Sequence, residues 1–121
     1  MEISKRFTFE AAHNLPNVPP GHKCSRLHGH SYAVTVCVTG PVHDHSGWVM
    51  DFSDIATAWQ HLFVILDHHH LNEIEGLENP TSEVLSIWIW ARLAPLLRGL
   101  STVCVSETCT SGVVYRGPLE P

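Results

Sequence analysis

The sequence is short of features that would place it in several large functional classes. No apolar run approaches the roughly 18 residues of a membrane span, so no membrane partner is expected. Lys and Arg total seven against twelve Asp and Glu, for a formal net charge of −5. No basic patch stands out, which argues against a nucleic-acid partner. The opening residues Met1-Glu2-Ile3-Ser4-Lys5-Arg6 lack the basic-then-apolar order of a signal peptide. A cytoplasmic location is the resulting expectation. The four cysteines, Cys24, Cys37, Cys104 and Cys109, form no CxxC pair, and a reducing compartment argues against a disulfide framework. Three of them lie in or beside apolar strand-like text and read as buried, inert thiols. Cys24 does not. Charged residues make up only 16 % and apolar residues 44 %, the balance of a globular chain. There is no repeat, low-complexity tract or long linker, so residues 1–121 read as one domain.

What is present is a mixed pattern of strand and helix periods. Over 3–13, Ile3, Phe7, Phe9, Ala11 and His13 share one face of a period-two strand. A loop rich in proline and glycine follows from Asn14 to Arg26. Over 28–39, His28, His30, Tyr32, Val34, Val36 and Val38 share a second strand face, ended by Gly40-Pro41. Ile55, Trp59, Leu62, Phe63 and Leu66 recur at helical spacing and predict a helix over about 53–66, capped by Asp51 or Ser53. Residues 67–80 read as a loop. A second helix is predicted over about 81–97, with Asn79-Pro80 as cap and first-turn proline and with Pro95 kinking or ending it. Strands are predicted over 101–107, with Val103, Val105 and Glu107 on one face, and over 112–116. The order ββααββ implies an α+β domain: an antiparallel four-stranded sheet with both helices on one face. The uncovered face and the sheet edges make oligomerisation an expectation.

Ten histidines in 121 residues set this chain apart. In His28-Gly29-His30 two imidazoles project from the same face of a strand and can reach one ion. If the first two strands pair as a hairpin, His13 lies opposite them. Three imidazoles with a fourth position open are the ligand set of a catalytic zinc site, and they suit zinc better than the oxygen-seeking Mg²⁺ or Ca²⁺. Cys24 lies four residues before His28. It is either a thiol deprotonated by nearby positive charge or a fourth ligand that would make the site structural. Asp67 beside His68 has the composition of a carboxylate that fixes an imidazole tautomer, although a polar helix end has the same composition. Glu107 at a strand end is either solvated or a bidentate acceptor for an amidine-like donor pair, as a pterin or guanine presents.

Taken in order, Phe9-Glu10-Ala11-Ala12-His13, Cys24-x-x-x-His28-Gly29-His30, Leu66-Asp67-His68-His69, Asn79-Pro80-Thr81-Ser82-Glu83 and Glu107-Thr108 resemble the 6-pyruvoyltetrahydropterin synthase superfamily over nearly the whole chain. The three-residue gap between Cys24 and His28 resembles the bacterial carboxytetrahydropterin-forming branch. So do Gly47-Trp48-Val49-Met50-Asp51-Phe52 and Tyr115-Arg116-Gly117. The resemblance implies the tunnelling fold, with sheets joined into a barrel in a homotrimer or homohexamer and active sites between subunits. It implies Zn²⁺ on His13, His28 and His30, Cys24 as proton acceptor, His68 oriented by Asp67, and Glu107 as pterin anchor and relay member. Thr81 and Ser82 fall at the substrate, and Lys23 and Arg26 near its phosphates. The implied reaction converts 7,8-dihydroneopterin triphosphate to 6-carboxy-5,6,7,8-tetrahydropterin, acetaldehyde and triphosphate, a step towards queuosine. The alternatives are a pyruvoyl product and a non-catalytic module that binds pterin or zinc.

Overall fold

The two long strands expected from alternation form the spine of the sheet. In the structure, a computed structural model that describes residues 1–119, β1 (Glu2–His13) and β2 (His28–Thr39) pair antiparallel along their whole lengths. The register runs from Glu2 opposite Thr39 to His13 opposite His28. A one-residue slip would turn every apolar side chain to the wrong face, so the burial pattern itself pins this register. The core-side residues Phe9, Tyr32, Val34 and Val36 are buried, whereas Glu2, Ser4, Arg6, Thr8 and Glu10 alternate outward.

α1 (Phe52–Leu66) begins where Asp51 accepts the Ser53 N–H, one of the two caps expected. It lays Ile55, Trp59, Leu62 and Leu66 on the sheet, with Trp59 against the rings of Phe7 and Phe9. α2 (Ser82–Leu93) is shorter than its apolar text predicts. It stops before Pro95, and Leu97 is buried in the turn beyond it. Its cap is Thr81, whose hydroxyl accepts the Val84 N–H at 3.1 Å, rather than Asn79. Such a cap contributes about 1 kcal/mol. Pro80 is therefore outside the helix, and its carbonyl is free for another partner. β4 (Leu100–Ser106) pairs antiparallel with β2, and β5 (Val113–Tyr115) pairs antiparallel with β4.

The α+β class, the element order and the helices on one face are as expected. The strand count is not. β3 (His69–His70) lies parallel to β1, giving a five-stranded sheet in the order β3-β1-β2-β4-β5. A two-residue polar strand carries no alternation to read, so its residues look like loop. Cys109 also differs from expectation. It is exposed in the turn after β4, beyond the last apolar residue of that strand, while Cys37 is buried and Cys104 half-buried. Among the described residues, no helix is long and apolar enough to cross a membrane.

Candidate active site

The hairpin register builds a cluster at one end of the core face. His13 is opposite His28, and Ala11 is opposite His30, so all three imidazoles project to the helix side of the sheet. Their donor atoms lie within 4.8 Å of one another, and they form the one such metal-competent group among the described residues. Cys24 is not part of it. The reading of Cys24 as a fourth, structural ligand therefore gains no geometric support.

Hydrogen bonds behind the rings fix the tautomers. His13 Nδ1 is 2.8 Å from the Pro80 carbonyl, and His28 Nδ1 is 2.7 Å from the Arg26 carbonyl. A carbonyl oxygen only accepts, so both Nδ1 atoms carry the proton and both Nε2 atoms present lone pairs. Those two Nε2 atoms face each other at 3.0 Å. Two lone pairs cannot form a hydrogen bond, and what relieves their approach is positive charge at that point, either an extra proton on one ring or a metal ion. His30 Nε2 and Glu107 Oε2 are buried nearby without hydrogen-bond partners. Buried polar atoms left unpaired are costly and rare. One divalent ion accepting imidazole nitrogens resolves the contacts of the three rings, and the donor set fits zinc. Burial pushes the His13 pKa below its ordinary value and keeps it the neutral ligand form, with His28 and His30 adding to that effect against the Pro80 bond and the Glu107 charge. Tyr32, buried beside His13, has its phenol pKa pushed up by burial and then by Glu107, so it stays neutral.

Asp67 ends α1 and makes two bonds. Its Oδ1 accepts the Glu10 N–H at 2.9 Å, and its Oδ2 accepts from His68 Nδ1 at 2.7 Å. The His68 N–H in turn donates to the Glu10 carbonyl at 2.6 Å. Glu10 thus grips both members of the pair through its backbone. His68 has φ +56°, unusual for a residue with a Cβ, and these bonds hold it there. Its ring is turned outward and 78 % exposed. The hydrogen bonds from Glu10 and His68 pull the Asp67 pKa below the usual carboxylate range, while the Asp67 bond and charge raise that of His68 above its ordinary 6.5. The signs are opposite, and so are the pH windows. The His68 contribution to stability is complete below about 6.5 and is lost as pH rises through its raised native value. The Asp67 contribution is present above the ordinary carboxylate value and is lost as pH falls through its lowered one. Asp67→Asn is expected to return the His68 titration towards its ordinary midpoint, seen as an acid shift of the imidazole proton resonances. An unmoved midpoint would remove the coupling.

Three adjoining cavities link the remaining site residues: His30 and Glu107 line one, His30 and His68 a second, and Ser82 and Glu107 a third. Ser82 Oγ is buried with no partner, whereas the Thr81 hydroxyl is spent on the α2 cap. Cys24 lies half-buried in a 3-10 turn, Lys23–Ser25, where its N–H donates to His22 Nδ1 and its carbonyl accepts the Leu15 N–H at 2.7 Å. Lys23 and Arg26 beside it are exposed, and none of the three lines these cavities. Within one chain the structure brings the imidazoles, Glu107 and Ser82 together and leaves Cys24 with its basic neighbours apart. The carbonyls of Pro80 and Arg26 and the backbone of Glu10 escape sequence reading, because backbone groups leave no residue signature.

Known proteins resemble the chain over nearly its whole length. Over residues 2–118 the chain matches the family model described as 6-pyruvoyl tetrahydropterin synthase. It is 44 % identical to a 6-carboxy-5,6,7,8-tetrahydropterin synthase of Synechocystis sp., over 96 % of this chain and 93 % of that protein. It is 33 % identical to the Bacillus subtilis protein of the same name, over 95 % of this chain and 84 % of that one. The structure of Caenorhabditis elegans 6-pyruvoyl tetrahydropterin synthase superposes with a TM-score of 0.90 at 25 % identity, covering 98 % of this chain and 96 % of the other. A polar strand end carrying three convergent imidazoles, a family model spanning almost every residue and relatives aligned nearly end to end agree: the chain belongs to the 6-pyruvoyl tetrahydropterin synthase family.

Proposed function

We propose that the chain is a zinc-dependent lyase that converts 7,8-dihydroneopterin triphosphate to 6-carboxy-5,6,7,8-tetrahydropterin, acetaldehyde and triphosphate, in the cytoplasm and on the route to queuosine. The single observation that carries the reading is the convergence of His13, His28 and His30 with their Nδ1 protons already committed behind the rings. The names of the Synechocystis and Bacillus relatives favour the carboxy product.

His13, His28 and His30 would hold the ion, with Pro80 and Arg26 carbonyls fixing two of the rings. Zinc, when bound, supplies a Lewis acid that polarises the substrate's side-chain oxygens and acidifies the adjacent carbon-bound protons. Cys24 takes a proton from the side chain. His68, oriented by Asp67, relays it and returns it. Glu107 accepts from the pterin's 2-amino group and the adjacent ring N–H, with the unpaired Ser82 hydroxyl close by. Lys23 and Arg26 supply positive charge near the phosphates. Cys24 and the His30–His68 cavity stand apart in one chain, and association of copies with their sheets joined edge to edge into a barrel, as trimer or hexamer, would bring such groups together.

The test is product analysis. Metal-loaded protein incubated with 7,8-dihydroneopterin triphosphate is expected to release acetaldehyde and triphosphate in equal amounts. A product retaining its three-carbon side chain would replace this reading with the pyruvoyl reaction. Binding without turnover would reduce it to a pterin-binding module.

A further inference from the structure

Resting on the three-histidine centre proposed above, we infer that Glu107 is a fourth, displaceable ligand of the same ion. It covers the metal until substrate oxygens replace it.

Glu107 Oε2 stands 3.8 Å from His13 Nε2 and 3.8 Å from His30 Nε2. These separations are too long for hydrogen bonds. Ligand atoms on one tetrahedral zinc, bound at about 2.0–2.1 Å, sit about 3.3 Å apart, so the carboxylate is within half an ångström of ligand spacing from two of the three rings. It lies outside the group whose donor atoms all fall within 4.8 Å of one another, and the side chain has to turn towards His28 to join the ion. Oε2 is buried and has no hydrogen-bond partner. A carboxylate oxygen out of water and unpaired is costly, and a cation is the partner that removes the cost. The charge count agrees. Three neutral imidazoles leave the full +2 of the ion uncompensated, and Glu107 brings a negative charge to the same point.

The carboxylate is also free to leave. The turn that carries it is stitched by other side chains. Ser106 Oγ donates to the carbonyls of Thr108 and Ser111, and the Thr108 and Ser111 hydroxyls pair at 2.8 Å. None of these bonds uses Glu107, which is 30 % exposed at the rim of the cluster. Incoming oxygens of the pterin side chain can take its coordination place, and the released carboxylate is then available to the amidine-like edge of the same molecule. One side chain serves the metal first and the ring afterwards, with no bond made or broken except the coordination exchange.

Cobalt(II) absorption tests this without turnover. Metal-stripped full-length protein and its Glu107→Gln and Glu107→Ala variants are titrated with Co²⁺. The wild-type visible bands are expected to differ in position and intensity from those of both variants, and the variants should bind about 10–100-fold more weakly. Adding 7,8-dihydroneopterin should move the wild-type bands as the carboxylate departs. Superimposable spectra with equal affinities, in the near-isosteric Gln variant as well as in Ala, would overturn the assignment while leaving the histidine centre intact. A wild-type protein that takes up no cobalt, and a His28→Ala variant that behaves like it, would overturn the centre itself and this inference with it.

Discussion

Cys24→Ala is expected to lower turnover of dihydroneopterin triphosphate by about 10²–10⁴-fold, the usual contribution of one positioned acid–base group, while the protein keeps one metal ion per chain. The two readouts separate the roles left open by the sequence. If Cys24 were a metal ligand, its removal would lower metal content as well. The structure keeps Cys24 out of the donor cluster, held by its own turn through His22 and Leu15. Pterin binding should survive the substitution, because Glu107 and Ser82, the groups proposed to face the pterin, are on other elements and share a cavity that Cys24 does not line. A variant with wild-type kcat would end the assignment of Cys24 as proton acceptor.

His28→Ala should have the second large effect, on metal first and on activity as a consequence. Removing an outer partner of a metal ligand costs about 10–100-fold in affinity, and removing the ligand itself should cost more. His28 is the suitable member of the trio to change. His13 is 1 % exposed and packed in the core, so its loss would leave a void and an unpaired Pro80 carbonyl, mixing folding with binding. His28 is half-buried at the strand end, and its carbonyl partner Arg26 lies on an exposed turn. Full metal content in the variant, measured by elemental analysis, would remove His28 from the ligand set.

The parts of this fold that could be read in advance are those where one period repeats for many residues. Phe7, Phe9 and His13 keep step on β1, and His28, His30 and Tyr32 on β2, so the histidines inherit the direction of the apolar residues beside them. The end of α2 was legible only in part: apolar text runs on to Leu97, and Pro95 marks why the helix stops at Leu93 instead. Its start was legible to within a residue, but not its cap. Asn79 was the cap expected, and Thr81 is an equally good one; the Pro80 carbonyl between them bonds His13, a tertiary contact that local sequence does not encode. β3 escaped because two polar residues carry no period. The approach of Glu107 to the imidazoles depends on the register of β4 against β2, with Ser106 opposite Ala33, and no local pattern encodes a pairing between strands so far apart in sequence.

The bond from His13 to the Pro80 carbonyl, made just before α2 begins, has a wider implication. A ring that grips an ion with one nitrogen and an opposing chain segment with the other joins cofactor capture to the docking of a helix. Free energy released by an ion bound there would be shared with the assembly of the core, so metal depletion would lower the stability of the fold as well as the number of competent molecules.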